Sequence, residues 1–317
     1  MSRLLVISES PHIHTGDTTQ RIMWRVLLAL VPAFLCAVYS FGIGALIVTA
    51  TAMAGCVVTE FVIARYMLGR RAPFVSVPAM LTGVLLAFNL PSNLPVWIVL
   101  IGSVVAIGVG KMSFGGLGCN IFNPALVGRV FLLLSFPQQM TTWPLPIVNR
   151  MRYADALTGA TSLTQAKEGV AGAVDWAGEA IGATGGSLGE VAGFALIAGG
   201  LYLLATRVIT WHIPVSILLS AGLFSLVIGN DPFVELLGGG LLLGALFMAT
   251  DYVTSPMSHS GMLLYGVMIG LITVVIREWG AYPEGVSFAI LLMNGATPLI
   301  NRYMKPRKVG EGRRNGK

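Results

Sequence analysis

The sequence predicts an all-α, polytopic membrane protein with about ten transmembrane helices. Hydrophobic residues make up 55% of the 317 residues and charged residues 11%, whereas soluble domains carry about 25% charged residues. The mean hydropathy is +0.78, and several apolar runs reach the roughly 20 residues that a helix needs to cross a bilayer. The runs are continuous rather than alternating, which favours helices over the strands of a membrane barrel.

Ten apolar runs, separated by glycine, proline and charged residues, are the candidate helices. They start near Val26, Leu46, Val75, Pro95, Ile121, Leu188, Ile213, Phe233, Met262 and Val286. The chain therefore divides into two transmembrane halves, a long polar loop between them and two short termini. The predicted boundaries are 1–25 for the N-terminal segment, 26–136 for the first half, 137–187 for the loop, 188–301 for the second half and 302–317 for a basic tail.

The basic residues orient these helices. With the N-terminus on side one, the alternation of helices places fifteen basic residues on side one and four on side two, with Arg129 left out because it lies inside a run. The positive-inside rule makes side one cytoplasmic. Both termini are therefore predicted to be cytoplasmic, and the loop at 137–187 is predicted to be external.

The two halves also resemble each other weakly. Pro78 and Pro214 each open an apolar run, and Asn123-Pro124 and Ser255-Pro256 follow them at similar distances. With five helices in each half, the second copy would run inverted through the membrane. Many transport folds build a central site from broken helices in this way. The sequence therefore predicts two inverted five-helix repeats.

The distribution of charge and cysteine excludes several other functions. Seven of the 20 basic residues lie in the last 16 positions, which is typical of a cytoplasmic anchor facing anionic lipid rather than of a nucleic-acid-binding surface. The three cysteines form no C-x-x-C pair, so we expect small buried side chains and no metal site. The chain has no G-x-G-x-x-G after a strand, so nicotinamide and ferredoxin sites are expected on partner proteins.

The external loop contains the motif Asp155-x-x-Thr158-Gly159-Ala160-Thr161. Thr161 offers a hydroxyl that could be esterified, and Gly159 and Ala160 leave little bulk beside it. Thr158 and Asp155 can hydrogen-bond the local turn. A helix N-cap or an ordinary turn is the alternative interpretation of the same residues.

A second candidate site lies in "GGLGCNIFNPALVGR". Gly115, Gly116 and Gly118 allow close approach of the backbone, and Asn120 and Asn123 supply amides at a helix interrupted by proline. Such a helix end, buried in protein, is a common place for an ion or a ring system. The alternative is tight helix packing through small residues.

Five further residues are weaker candidates. Asp251 and Ser255 occupy the block that we pair with Asn123-Pro124, and Glu60 lies within the second run. Carboxylates near a span are costly and usually have a function. His12 and His14 precede the first run and are expected to be surface or interface residues rather than metal ligands.

The motifs together resemble a known family. Asp155 to Thr161 matches the D-x-x-[S/T]-G-A-T signature at which a flavin transferase attaches FMN to threonine through a phosphoester. The blocks "SPHIHTGDTTQRIMWRVLLALVPA", "FGGLGCNIFNPALVGRVFL" and "DYVTSPM" are similar to the D subunit of the Rnf complex, a bacterial ferredoxin:NAD+ oxidoreductase that translocates Na+ or H+. The resemblance covers nearly the whole chain.

This resemblance implies cofactors and partners. Thr161 would carry covalent FMN, with Asp155, Thr158, Gly159 and Ala160 as the recognition motif of the transferase. A second flavin, riboflavin, would be held without a covalent bond in the membrane part. The implied partners are the flavin-bearing G subunit outside, the A and E membrane subunits, the B and C subunits on the cytoplasmic side, and a flavin transferase. The implied fold resembles urea and ammonium transporters, and the chain would not be catalytically complete alone.

Two alternatives stay open at this point. One is the related B subunit of the Na+-translocating NADH:quinone oxidoreductase, and the other is a urea or ammonium type of transporter without flavin. Two further Gly-Ala-Thr triplets, at 182–184 and 295–297, lack the Asp and Ser/Thr of the motif. Only Thr161 is therefore predicted to carry a flavin.

Overall fold

The computed structural model of the protein describes residues 18–69, 76–146, 153, 156–159, 161, 163, 185–190, 193–280 and 284–305. The chain is predominantly helical in these ranges. The helices are α1 (Thr19–Phe41), α2 (Ile43–Val62), α3 (Val77–Phe88), α4 (Val96–Gly108), α5 (Pro124–Ser135), α6 (Pro137–Met140), α7 (Gly193–Ala205), α8 (His212–Ile228), α9 (Pro232–Leu237), α10 (Leu241–Leu243), α11 (His259–Trp279) and α12 (Val286–Tyr303).

Short irregular elements complete the fold. Two π-helical turns extend α2 and α10, at Ile63–Met67 and Gly244–Met248, and a 3-10 turn follows α4 at Met112–Phe114. Two short antiparallel strands, β1 (Trp143–Pro144) and β2 (Thr158–Gly159), lie in the predicted external loop.

A helix begins close to every predicted start. The largest offset is at the first run, where α1 begins at Thr19 rather than near Val26. Thr18 caps this helix, because its side chain accepts a hydrogen bond from the backbone N–H of Arg21 at 3.3 Å. Arg21 and Arg25 interrupt the apolar residues of the first two turns, so the continuous apolar run begins only after them.

The lengths of the helices differ from the expectation of ten full spans. Among the described residues, four helical segments are long and apolar enough to cross a membrane: Thr19–Phe41, Ile43–Met67, Val96–Phe114 and His259–Trp279. Other apolar helices are shorter, and α3 and α5 have 12 residues each, or about 18 Å at the usual rise. Because a hydrocarbon core is about 30 Å thick, these are partial helices, and the count of ten crossings stays a prediction.

Glycine lets the helices pack closely. A methyl group on Gly83 of α3 would meet the Ala52 carbonyl oxygen of α2 at 2.8 Å, and one on Gly270 of α11 would meet the Ile217 carbonyl oxygen of α8 at 2.7 Å. Close backbone approach through small residues is how helices associate in a membrane, where apolar burial alone gives no preference for a partner.

The same packing order occurs in both halves. In the first half α2 packs against α3 and α4, and α4 packs against α5; in the second half α8 packs against α9 and α11, and α11 packs against α12. Helices α1 and α7, the first of each half, pack against each other. The order agrees with five segments per half, while the inverted arrangement stays a prediction.

The residue pairing predicted between the halves is wrong. Pro78 begins α3, the third segment of its half, whereas Pro214 lies in α8, the second of its half. Asn123-Pro124 begins the fifth segment, whereas Ser255-Pro256 precedes the fourth. Proline is frequent at helix starts, so similar spacing of prolines does not establish equivalent positions.

Candidate functional site

A cavity of about 330 Å³ lies where the two halves meet. Its walls are the start of α1, the first turns of α3, the loop between α4 and α5, the end of α7 and the loop after α10. Most of the lining is apolar, including Val26, Leu85 and Phe247. The polar lining residues are Thr19, Thr82, Lys111, Asn120, Asn123, Thr250, Asp251 and Tyr252.

Two predicted residues, Asn120 and Asn123, line this cavity. Asn123 is the N-cap of α5: its Oδ1 accepts from the Ala125 N–H at 3.1 Å, and its amide donates to the Met248 carbonyl at 3.2 Å. The second bond joins the two halves of the chain. The Asn120 amide donates to the Phe122 carbonyl at 3.0 Å, which holds the loop in a tight turn.

The predicted glycines have a different role from the expected one. Gly115, Gly116 and Gly118 have φ values of 112°, 103° and 84°, a region that other residues rarely adopt. A methyl group on Gly116 or Gly118 would meet nothing within 4 Å. These glycines therefore shape the loop that carries Asn120 and Asn123, and neither Gly115 nor Gly116 is a lining residue.

The weaker candidate Asp251 also lines the cavity. It follows the π-helical turn of α10, and its Oδ1 lies 3.5 Å from the Val253 N–H. Burial raises the pKa of the Asp251 carboxyl, and the Val253 N–H opposes that shift. Ser255 is not a lining residue; its N–H donates to the Asp251 carbonyl and closes the same turn.

Lys111 is a lining residue that the motif search missed. Its Nζ lies 2.5 Å from Oε2 of Glu60, and Oε1 of Glu60 accepts from the Ser76 hydroxyl at 2.8 Å. The predicted candidate Glu60 therefore anchors a lysine at the cavity wall. In the sequence, Lys111 is a single cation between an apolar run and the glycine-rich loop. That position was the only indication of its role.

A buried polar group lies below the cavity. The Tyr265 hydroxyl and the Asn294 amide are 2.6 Å apart, and with the amide oriented to satisfy both neighbours its oxygen accepts from the Asn123 N–H at 3.1 Å. Thr297, the threonine of the third Gly-Ala-Thr triplet, donates to the Thr254 carbonyl at 2.9 Å and is buried. Its side chain thus ties α12 to the loop that carries Asp251.

The segment around Thr161, of which residues 156–159, 161 and 163 are described, is held against the second half of the chain. It is called the Thr161 segment below. Thr158 and Gly159 form β2, which pairs with Trp143 and Pro144 of β1. A methyl group on Gly159 would meet the end of the Leu145 side chain at 2.7 Å, so the motif glycine leaves room for this leucine beside the hairpin. Leu163 is buried and packs against the Gly238–Gly239 turn after α9.

Thr161 itself is buried, with 6% of its surface exposed. A transferase would therefore have to reach it before this segment closes or after it opens. The predicted recognition residues Asp155 and Ala160 lie outside the described residues, as do His12, His14 and the second triplet at 182–184. In the described part of the chain, no group of three or more His, Cys, Asp or Glu could hold a metal ion.

Comparison with known proteins decides the family. A model of the NQR2, RnfD, RnfE family matches residues 6–310. The chain belongs to the NQR2, RnfD, RnfE family. Members similar to it include the D subunit of the Na+-translocating ferredoxin:NAD+ oxidoreductase complex of Acetobacterium woodii, 46% identical over 96% of this chain and 95% of the relative.

Two other members of the family are similar over comparable lengths. The D subunit of the proton-translocating ferredoxin:NAD+ oxidoreductase complex of Clostridium ljungdahlii is 40% identical over 98% of this chain and 97% of the relative. The D subunit of the ion-translocating oxidoreductase complex of Stutzerimonas stutzeri is 42% identical over 94% of each chain. The resemblance to the Rnf D subunit in the sequence is thereby confirmed.

The cavity fits the flavin that the resemblance implies. Its volume of about 330 Å³ is at the small end of the range for ligand pockets, about 300–1,000 Å³. The lining is mainly apolar with a few converging polar groups, which is the usual composition of a site for a flat ring system. Asn120 and Lys111 could donate hydrogen bonds to ring oxygens or nitrogens, and Asp251 could accept one.

Proposed function

We propose that this chain is the membrane electron-transfer subunit of an ion-translocating ferredoxin:NAD+ oxidoreductase. The observation that carries the proposal is its 40–46% identity, over nearly the full length of each chain, to two subunits with that activity in their names. The cavity between the halves adds a place for a second flavin inside the membrane part. The family also includes the quinone-reducing relatives, but the three similar members all bear the D-subunit name.

In this proposal Thr161 carries FMN through a phosphoester. The β1–β2 hairpin presents the motif on one short strand, and Leu163 anchors the segment on the Gly238–Gly239 turn. An attached flavin would therefore be held at a defined distance from the second half of the chain. Asp155, Thr158, Gly159 and Ala160 form the sequence that the transferase recognises.

The cavity would hold riboflavin. Bound flavins supply the redox chemistry, and the protein orients them and sets their potentials. Asn123 shapes the cavity by capping α5 and by bonding the second half of the chain through Met248. The apolar walls from α1, α3 and α7 exclude water from the ring. Lys111 and Asp251 place one cation and one acid in the same lining.

The partners follow from the same proposal. Ferredoxin and nicotinamide sites would belong to the B and C subunits on the cytoplasmic side, electrons on the outer face would come from the flavin of the G subunit, and the A and E subunits would lie beside this chain in the bacterial cytoplasmic membrane. Both termini would be cytoplasmic and the Thr161 segment external, as the charge count predicts.

The covalent flavin is tested by fluorescence in a denaturing gel after co-expression with a flavin transferase. We expect a fluorescent wild-type band that Thr161→Val abolishes. Thr184→Val and Thr297→Val are the matched controls, because both threonines follow Gly-Ala and neither has the rest of the motif; both are expected to keep the fluorescence. A dark wild-type band would contradict the proposal.

The non-covalent flavin is tested by acid extraction of the purified complex. We expect riboflavin in the extract of wild type and a several-fold lower content in Asn120→Leu, which removes one amide from the cavity. Asn230→Leu is the control, because Asn230 follows the C-terminal end of α8 and does not line the cavity. Its amide donates a hydrogen bond to Glu278. Equal riboflavin in both variants and wild type would place the flavin elsewhere.

A further inference from the structure

Five charged side chains meet at the other end of the molecule from the cavity, beneath the segment that bears Thr161. They come from both halves of the chain and are Arg129 of α5, Glu190 before α7, Glu235 of α9, Arg277 of α11 and Glu284 before α12. Four of them are buried and Glu190 is partly buried. Charges in such a position are rare because removing them from water is costly.

Arg129 joins the two halves. Its Nη1 donates to Oδ1 of Asn89 at 2.6 Å, and its Nη2 forms an ion pair with Oε2 of Glu284. Arg129 and Glu284 are 2% and 6% exposed. Among the described residues, Nε of Arg129 and Oε1 of Glu284 have no hydrogen-bond partner.

Arg277 is engaged by the turn that supports the Thr161 segment. Its Nη1 donates to the Glu235 carboxylate and to the Glu235 carbonyl, both at 2.6 Å, and its Nη2 donates to the carbonyls of Gly238 and Gly239. Leu163 packs on that same turn. Glu284 is thus an ion-pair partner of Arg129, and Glu235 is an ion-pair partner of Arg277.

Glu190 is the third carboxyl group of this cluster. Its Oε2 accepts from the Ser187 N–H at 3.3 Å, while Oε1 has no hydrogen-bond partner among the described residues. A methyl group on Gly240 would lie 3.6 Å from that Oε1 and 3.9 Å from Nη1 of Arg129. Glu190 therefore faces Arg129, but the two Nη atoms of Arg129 already serve Asn89 and Glu284.

We propose that Glu190 is a proton-binding site, present as the neutral carboxylic acid at neutral pH. Among the described residues of the cluster, three carboxylates and two guanidinium groups leave one negative charge uncompensated, in a site with little access to water. A proton on Oε1 of Glu190 removes that charge and turns this oxygen into a hydrogen-bond donor. The step forms one O–H bond with a proton from solvent and transfers no electrons. Glu190 is the one partly exposed residue of these five, although its Oε1 atom is itself buried.

A proton suits this cluster better than a sodium ion. Two guanidinium groups lie close enough to Glu190 to act on its charge, and a bound metal cation would be repelled by both. The same guanidinium groups favour the Glu190 carboxylate, but burial outweighs them and raises the pKa of this carboxyl. Sodium binding also needs several oxygen ligands, whereas the Asn89 oxygen and one oxygen of Glu284 already face Arg129.

The proposal is tested by infrared spectroscopy of the purified complex, which detects the carbonyl stretch of protonated carboxyl groups. Asp251→Asn serves as the background, since among the described residues Asp251 is a second carboxyl group whose burial favours the acid form. We expect Glu190→Gln to lose one carboxyl from the band at neutral pH. Glu278→Gln is the matched control on α11, where Asn230 donates to the carboxylate at 2.9 Å, and is expected to leave the band unchanged.

A second variant should change the intensity of the carboxyl band in the opposite direction. Arg129→Gln removes the cation that keeps Glu284 ionised, so the band should gain one carboxyl relative to the same background. A band unchanged in Glu190→Gln would show that Glu190 is ionised and would overturn the proposal. A band in wild type that grows when sodium is replaced by choline would show that sodium occupies the site, which would also overturn it. Neither result depends on the presence of a flavin at Thr161.

Discussion

At the scale of single residues, the cavity is set apart by two ionisable side chains in its lining. Lys111 is held by Glu60, and Asp251 lies across the same cavity in a loop of the other half. Charges near a flavin shift its potential because they stabilise or destabilise the added electron. These residues therefore carry the sharpest predictions about the proposed flavin.

The first prediction concerns Lys111 and Glu60. Lys111→Met removes a positive charge from the wall, so the potential of the riboflavin should fall; Glu60→Gln leaves Lys111 uncompensated, so it should rise. Each change is expected to be about 1 kcal/mol or more, on the order of 40 mV for one electron. Potentiometric titration measures both. If the ion pair only supported the structure, the flavin potential would shift in the same direction in both variants. Riboflavin content equal to that of wild type shows that the site is intact.

The second prediction concerns Asp251 and pH. Burial raises the pKa of the Asp251 carboxyl, so between its unfolded and folded pKa values the folded protein holds a proton that the unfolded chain releases. Stability should therefore fall as pH rises through that window. Asp251→Asn should reduce the slope of the melting temperature against pH in this window. Asp231→Asn is the control, because Asp231 is exposed and caps α9 through the Phe233 N–H; a slope that persists in Asp251→Asn would contradict the assignment.

At the scale of elements, close contacts between glycine and a neighbouring backbone decide which helices pair. Helix α11 lies so close to α8 that methyl groups on Gly266 and Gly270 would overlap the hydroxyls of Ser216 and Ser220. Helix α3 lies equally close to α2 at Gly83. The second and fourth segments of each half pack together, and this core supports the shorter helices around the cavity.

The third prediction concerns this packing. Gly270→Ala should destabilise the protein by about 1–3 kcal/mol, because the added methyl group would meet Ser220 and the Ile217 carbonyl. Adding Ser220→Ala should recover only part of the loss, since the carbonyl remains 2.7 Å away. Gly222→Ala in α8, whose methyl group would be 3.5 Å from its nearest neighbour, should be neutral. Thermal unfolding in detergent distinguishes these outcomes, and equal stability of all three variants would contradict them.

At the scale of the whole molecule, the two ends differ in chemistry. The cavity, with its mainly apolar lining and few polar groups, lies at the end predicted to be cytoplasmic. The buried charge cluster and the Thr161 segment lie at the end predicted to be external. Bonds between the halves exist at both ends, through Asn123 and Met248 at one and through Arg129 and Glu284 at the other. The halves are therefore joined rather than independent.

The fourth prediction concerns this orientation. Single cysteines at Leu157 and Leu117, which are 53% and 50% exposed, are introduced into a chain without Cys36, Cys56 and Cys119. A membrane-impermeant maleimide should label Leu157→Cys in right-side-out vesicles and Leu117→Cys only in inverted ones. Labelling in the reverse pattern would overturn the topology and with it the external position of Thr161.

Part of this architecture could be predicted from the sequence, and the reasons are local. Apolar runs mark helices because a backbone in lipid must satisfy its own hydrogen bonds, and a helix indeed begins near every predicted start. The sequence indicated Asn123 because it supplies an amide at a helix interrupted by proline, and in the structure this residue caps α5. The glycines from Gly115 to Gly118 were identified as well, although their reason is backbone conformation rather than close approach.

The sequence by itself determined the class of the protein, the order of its helices, its family and the motif at Thr161. Only the tertiary structure decided which residues share a site. Lys111 faces Glu60, Asn123 meets Met248 and Arg129 meets Glu284, although each pair is far apart along the chain. Periodicity and composition report the neighbours of a residue along its own helix. The partner of a buried charge depends on how whole helices pack, and no local pattern records that.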